Sequence, residues 1–135
     1  KKLIKEEEKF GIKNFKTYQD FGEKVYKIRE NVIKNLKNLK KKSEIIVGYG
    51  APAKATTALN FFGINKEIDY IIEDNKFKHK KLVPGVKIPI YSKNKIKKKL
   101  KIILVLAWNF YDEIKKNNSK LSNLFINIKD LEKKI

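Results

Sequence analysis

Cysteine and methionine are both absent from this chain of 135 residues, and arginine, histidine and tryptophan occur once each, at Arg29, His79 and Trp108. Without cysteine there are no disulfides and no thiolate metal ligands, and a single histidine cannot assemble an imidazole site. No apolar run comes near the ~20 residues that cross a bilayer. The lysine-rich start lacks the apolar segment of a secretory signal. These absences predict a cytoplasmic protein with no membrane partner, and a start at lysine in a chain without methionine predicts an excised piece of a longer polypeptide.

What is abundant is lysine. The 33 basic residues face 15 acidic ones, for a formal net charge of +18. Such a balance ordinarily raises nucleic acid as a partner. Base readout and bidentate phosphate recognition favour arginine, however, and Arg29 stands alone. The lysines are scattered along the whole length, often beside asparagine and isoleucine, so they are expected to form a solvated surface rather than a specific nucleic-acid face. An anionic small molecule is well served by the same field.

The length suits one core and not two ordinary domains. Residues 1–16 are charged and show little periodicity, which predicts a lead-in or linker, and 17–135 hold the domain. Phe21, Val25, Ile28, Val32, Leu36 and Leu39 recur at intervals of three or four, predicting a long amphipathic helix from about Thr17 to Lys41 that covers a sheet and links to whatever precedes it. A strand is expected over Glu44–Val47, a helix over Pro52–Phe62 capped by Gly63, and a second strand over Ile68–Ile72. Two prolines and a glycine between Leu82 and Ile90 predict a turn and a short extended edge. Lys93–Leu100 is expected to be a short polar helix, Ile102–Ala107 a central strand, Phe110–Asn117 a helix, Leu124–Ile128 a closing strand, and the stretch after Asp130 a charged tail. Strands alternating with helices make a small doubly wound α/β domain whose ligands belong above the carboxyl ends of the strands.

The stretch from Glu44 to Asn60 organises the rest. A β-branched run ends in Gly48-Tyr49-Gly50, and Pro52 stands at the first turn of a helix, so the turn is expected to offer bare amides and a helix N-terminus to an anion. Gly48, Gly50 and Ala53 satisfy G-x-G-x-x-A, and Glu73-Asp74 fall about twenty residues on, where a dinucleotide-binding fold keeps its ribose-binding acid. That pattern also allows a small NAD-binding or nucleotide-binding regulatory module. Lys54, one turn into the helix, is placed to reach an anion at the turn. His79 among its lysines is expected to face solvent, while Trp108-Asn109 after the central strand suits a stacking or hydrogen-bonding contact as well as core packing.

Gly48-Tyr49-Gly50-Ala51-Pro52-Ala53-Lys54 with Thr57 and Asn60, then Ile72-Glu73-Asp74-Asn75, Pro84-Gly85, Ile88-Pro89-Ile90 and Leu106-Ala107-Trp108-Asn109, resembles the C-terminal domain of the S-adenosylmethionine-dependent C-methyltransferases that act on nucleotide-linked keto-sugars. The resemblance spans about Tyr18 to Ile128. It implies a Rossmann-like fold and a three-part enzyme, in which a cysteine-rich zinc domain and a middle domain holding S-adenosylmethionine and the acid-base residues precede this one. It implies that no catalytic residue, zinc or S-adenosylmethionine resides in this piece, which by itself is expected to be inactive. Gly48, Tyr49, Gly50, Ala51, Lys54 and Thr57 would lie against the nucleotide-sugar, Glu73, Asp74 and Asn109 would border the same crevice, and Pro84-Gly85 would shape its rim. The chain departs from the family at Ala55, often glycine in relatives, and at Thr56-Thr57-Ala58, where relatives often carry a bulkier leucine.

Overall fold

The computed structural model describes residues 2–133. Its longest element is α2, Phe15–Lys42. Asn14 caps it, accepting a hydrogen bond from the Lys16 amide (2.9 Å), and Lys40, Lys41 and Lys42 sit in the last turn, where cations suit the negative end of the helix dipole. Ahead of it, within the stretch expected to be a lead-in, Lys2–Phe10 forms a helix, α1, with no buried residue. The bend between the two is tied by Thr17 Oγ1 donating to the Gly11 carbonyl (2.9 Å) and Tyr18 OH to the Ile12 carbonyl (2.7 Å).

The remaining elements are β1 (Ile46–Tyr49), α3 (Ala53–Phe62), β2 (Tyr70–Ile72), β3 (Ile90–Tyr91), β4 (Leu100–Val105), α4 (Tyr111–Asn117) and β5 (Ser122–Asn127). Among the described residues the strands form one five-stranded sheet, ordered β3-β2-β1-β4-β5, and every pairing is parallel. Period-two alternation sorts the side chains onto two covered faces. Ile46, Ile71, Ile102 and Leu104 pack against Val32, Leu36 and Leu39 of α2 and Ala55 and Leu59 of α3. Val47, Tyr49, Ile72, Ile103 and Val105 face the other way, toward Tyr111 and Ile114 of α4. Burial on both faces explains why these strands are nearly all apolar, and the architecture is the expected Rossmann-like α/β fold.

Several boundaries move for identifiable reasons. Strand β1 runs on through Gly48 and Tyr49, because Tyr49 stays in register with Ile72 and Val105. Ile68 is buried but lies outside β2; beside it the Asp69 carboxylate accepts from the Ile46 amide (2.8 Å) and from Lys40 (2.6 Å), closing the sheet's lower edge with a side chain. The helix expected over Lys93–Leu100 is a single 3-10 turn, Lys93–Lys95, and Leu100 instead opens β4, its amide bonded to the Leu121 carbonyl (2.8 Å). Lysines at 93, 95, 97, 98 and 99 offer no apolar stripe for a helix to bury. The expected charged tail contains Leu131, which is fully buried under α2, while Lys1, Lys134 and Ile135 lie outside the described residues. At the end of α3, Gly63 adopts φ 70° and caps the helix as expected.

The seam between α2 and the sheet carries much of the core. Leu36 has no exposed surface. Leu36→Ala should lower unfolding free energy by about 2–5 kcal/mol, read from the urea midpoint at unchanged m-value.

Candidate functional site

Because β1, β2 and β4 are parallel and adjacent, their carboxyl ends meet along one edge, and a hollow of about 410 Å³ opens there. Tyr49 and Gly50 come from the end of β1, Glu73 and Asp74 from the end of β2, and Ala107 from beyond β4; Lys78 and Lys93 close it from the loops, Glu113 and Asn117 from α4, and Asn118 from just past its end. This is the crevice at the switch of strand order where ligands of open α/β sheets bind. Four of the expected residues, Tyr49, Gly50, Glu73 and Asp74, thus come together.

The glycines are there because two strand ends approach closely. At Gly48, a Cβ would lie 2.8 Å from Ile71 Cγ1 and 2.9 Å from Leu106 Cδ1; at Gly50, where φ is 86°, it would lie 2.7 Å from the Ala107 Cβ. Two of the amides expected to be bare at this turn are engaged. Gly50 N–H donates to the Ile72 carbonyl (2.8 Å) and Ala51 N–H to Glu73 Oε2 (2.8 Å). Glu73 Oε1 accepts from the Asn75 amide (3.0 Å), and Lys78 Nζ reaches both the Ala51 carbonyl (2.9 Å) and Glu73 Oε2 (3.7 Å). A carboxylate from this chain therefore occupies the position an outside anion was expected to take, and it bridges the β1 turn to the end of β2.

Tyr49 projects from β1 toward α4 and is 2% exposed. Its hydroxyl donates to Asp74 Oδ2 (2.9 Å), with Asn118 Oδ1 3.3 Å away as a second acceptor, and Asp74 Oδ1 pairs with Lys93 Nζ at 2.8 Å. Burial, then the hydrogen bond and charge of Asp74, raise the Tyr49 phenol above its usual value. Partial burial acts to raise the Asp74 carboxyl, but hydrogen bonds from Lys93 and Tyr49 outweigh it and hold the group below the ordinary range. Asp74, with a lesser part from Tyr49, raises Lys93 against a smaller opposing effect of burial.

Other expected residues lie elsewhere. Lys54 stands with its Nζ 4.7 Å from the centre of the Trp108 ring, and with Thr57 it lines an apolar hollow between α2 and α3 instead of the cleft. Thr57 Oγ1 bonds back to the Ala53 carbonyl at 3.4 Å. Pro84 and Gly85 pack on α3: Asn60 Nδ2 donates to the Pro84 carbonyl (2.9 Å), and a Cβ on Gly85 would collide with the Asn60 carboxamide. Asn109 is exposed and does not line the cleft. His79, expected in solvent, is half-buried, with Nε2 2.7 Å from the Glu73 carbonyl oxygen. Lys78, Lys93, Glu113 and Asn118 were not anticipated. Nothing local marks Lys78 or Lys93 among so many lysines, or Asn118 just past the end of a helix.

The acid-side stability should carry the mark of Asp74. With its folded pKa below the ordinary value of 3.8, its contribution is complete above that value and lost as pH falls through the folded one. Asp74→Asn should flatten the acid limb of the stability profile below about pH 4 and lower the Tyr49 phenol pKa toward 10, where ultraviolet titration of the tyrosines reads it. Lys93 and Tyr49, both raised, act oppositely: what they contribute is present below about pH 10 and lost as pH rises beyond it.

No helix among the described residues is long and apolar enough to cross a membrane, and no group of three His, Asp or Glu side chains gathers there as a metal site would need. Comparison with known proteins bears on the class. The chain is similar to the C-methyltransferase NovU of Streptomyces niveus, 28% identical over 120 residues, a match covering 87% of this chain and 29% of that one. It therefore spans less than a third of that relative's length. The family described as "C-methyltransferase C-terminal domain" matches residues 1–125, and with the glycine turn, Glu73 and the strand-end cleft all inside that span, the chain belongs to the C-methyltransferase C-terminal domain family.

Proposed function

We propose that this domain is the substrate-holding part of a C-methyltransferase that draws its methyl group from S-adenosylmethionine and acts on a sugar carried by a nucleoside diphosphate. The observation that supports it best is the cleft itself. At about 410 Å³ it lies within the range of small-molecule sites, and it places two lysines among carboxylates and carboxamides at the strand ends. Lys78 and Lys93 would take the diphosphate charge, while Asp74, Glu113, Asn117 and Asn118 would accept or donate to sugar hydroxyls. Such a grip orients a neutral ring through its charged handle.

S-adenosylmethionine supplies an electrophilic methyl group, and in this reading it is held by a preceding domain of a longer polypeptide. The residues here do not fit it: the amides of the glycine turn that a nucleoside cofactor would use are taken by the Ile72 carbonyl and Glu73. Zinc fits no better, since the sequence holds no cysteine and one histidine. The work of this chain is to bind and orient, and the proton removal beside a ketone belongs to the preceding domain. The same occupied turn weighs against the NAD reading, in which Glu73 would have to meet a ribose.

Calorimetric titration tests the proposal. A nucleoside-diphosphate hexose should bind saturably to the purified chain, S-adenosylmethionine should not, and Lys78→Ala with Lys93→Ala should weaken binding by about tenfold or more, roughly 1.4 kcal/mol. Binding of NAD with no response to the nucleotide-sugar would favour the regulatory module, and methyl transfer by the purified chain alone would refute the division of labour.

A further inference from the structure

The α4 wall of the cleft is built of side chains that the fold itself does not use. Phe110, just ahead of α4, and Glu113 and Asn117 within it all line the hollow, and spacings of three and four put them on one helical face. Phe110 is 60% exposed and belongs to neither core cluster. Three carboxylates line the same hollow, and two of them are engaged, Glu73 by the Ala51 and Asn75 amides and Asp74 by Tyr49 and Lys93. Glu113 enters no hydrogen bond or ion pair among the described residues. The helix dipole does not require it there, since Asp112 serves the same first turn and lies outside the hollow.

We propose that this wall takes the nucleoside of the substrate, with the base stacked on Phe110 and the neighbouring 2′ and 3′ hydroxyls of a ribose donating to Glu113, so that the chain selects a ribonucleoside diphosphate over its 2′-deoxy counterpart. The proposal rests on the function proposed above and deepens it. Phe110 and Glu113 are one helical turn apart, about 5 Å. A ribose is joined directly to its base, so the group that lies one turn from a stacked base is its ribose. An ionised carboxylate only accepts, through two oxygens. Two neighbouring hydroxyls satisfy both oxygens, whereas a phosphate is repelled. The diphosphate is thereby turned toward Lys78 and Lys93, which follow β2 and β3 on the other side of β1 from β4 and α4. Glu73, at the position where a dinucleotide-binding fold keeps its ribose acid, is held in the turn, and Glu113 supplies a free carboxylate from a different element. A 2′-deoxyribose would leave one of its oxygens without a donor once the ligand has displaced water, and an unpaired polar group of that kind is what lets a site reject an analogue.

Calorimetric titration of the purified chain with uridine diphosphate glucose and with its 2′-deoxyuridine counterpart tests this; stacking tolerates any base, so uridine serves as the probe. The ribose form should bind at least about tenfold more tightly. Glu113→Ala should bring the two forms to equal affinity. Phe110→Ala should weaken both by about tenfold, and Phe110→Tyr, which keeps a ring, should restore them. Both side chains are exposed, so none of these variants should move the urea midpoint. Equal binding of the two forms by the unaltered chain overturns the ribose selection, and an unchanged affinity in Phe110→Ala overturns the stacking; in either case the function proposed above still stands. Failure of both forms to bind overturns that function and this inference together.

Discussion

The carboxylate of Glu73 holds together what the sheet alone would leave apart. Parallel strands end at a common edge, but their following loops diverge. Glu73 accepts from the Ala51 amide on one side and the Asn75 amide on the other, with Lys78 alongside. Hydrogen bonds to a charged group contribute about 1.5–3 kcal/mol each, more than neutral ones, and side-chain exposure of only 13% limits screening by water. The floor of the cleft depends on this clasp. It explains why a turn built like a phosphate cradle does not present one.

Charge at the cleft is local and mixed, unlike the charge of the whole chain. Lys93 is paired with Asp74 and Lys78 with Glu73, so the cations beside the hollow are already partnered and their neighbours are acidic. A ligand that enters must exchange with these pairs. That favours a molecule with both anionic groups and hydroxyls over a simple polyanion, since the lysines can turn to phosphate while the released carboxylates accept from hydroxyls. The buried phenol of Tyr49 stiffens the arrangement by fixing Asp74 from below.

Helix α2 joins two kinds of surface. Its second half is part of the core, packed against the sheet and Leu131, and its first half repeats the same spacing with Tyr18 and Phe21 exposed, Val25 half-buried and Tyr26 against Phe61 of α3. The cleft lies on the α4 side of the sheet's edge and the exposed end of the stripe on the α2 side.

Local pattern determined a good deal by itself. The apolar stripe of α2, the two strands around the glycines, the αL cap at Gly63 and the central strand before Trp108 all follow from period and punctuation, and together they dictate a parallel α/β sheet. The family likeness lay in Gly48–Lys54 with Thr57 and Asn60, Ile72–Asn75, Pro84-Gly85, Ile88–Ile90 and Leu106–Asn109. Tertiary structure alone decided which of these residues share a site. Lys54 and Thr57 follow the turn in sequence, yet the helix carries them to the α2 side, while Lys78, Lys93 and Asn118 arrive at the cleft from loops without any distinguishing neighbours. The fate of the turn's amides was equally hidden. It hung on one glutamate some twenty residues away, and a contact between strand ends is set by sheet register, which short-range pattern does not encode.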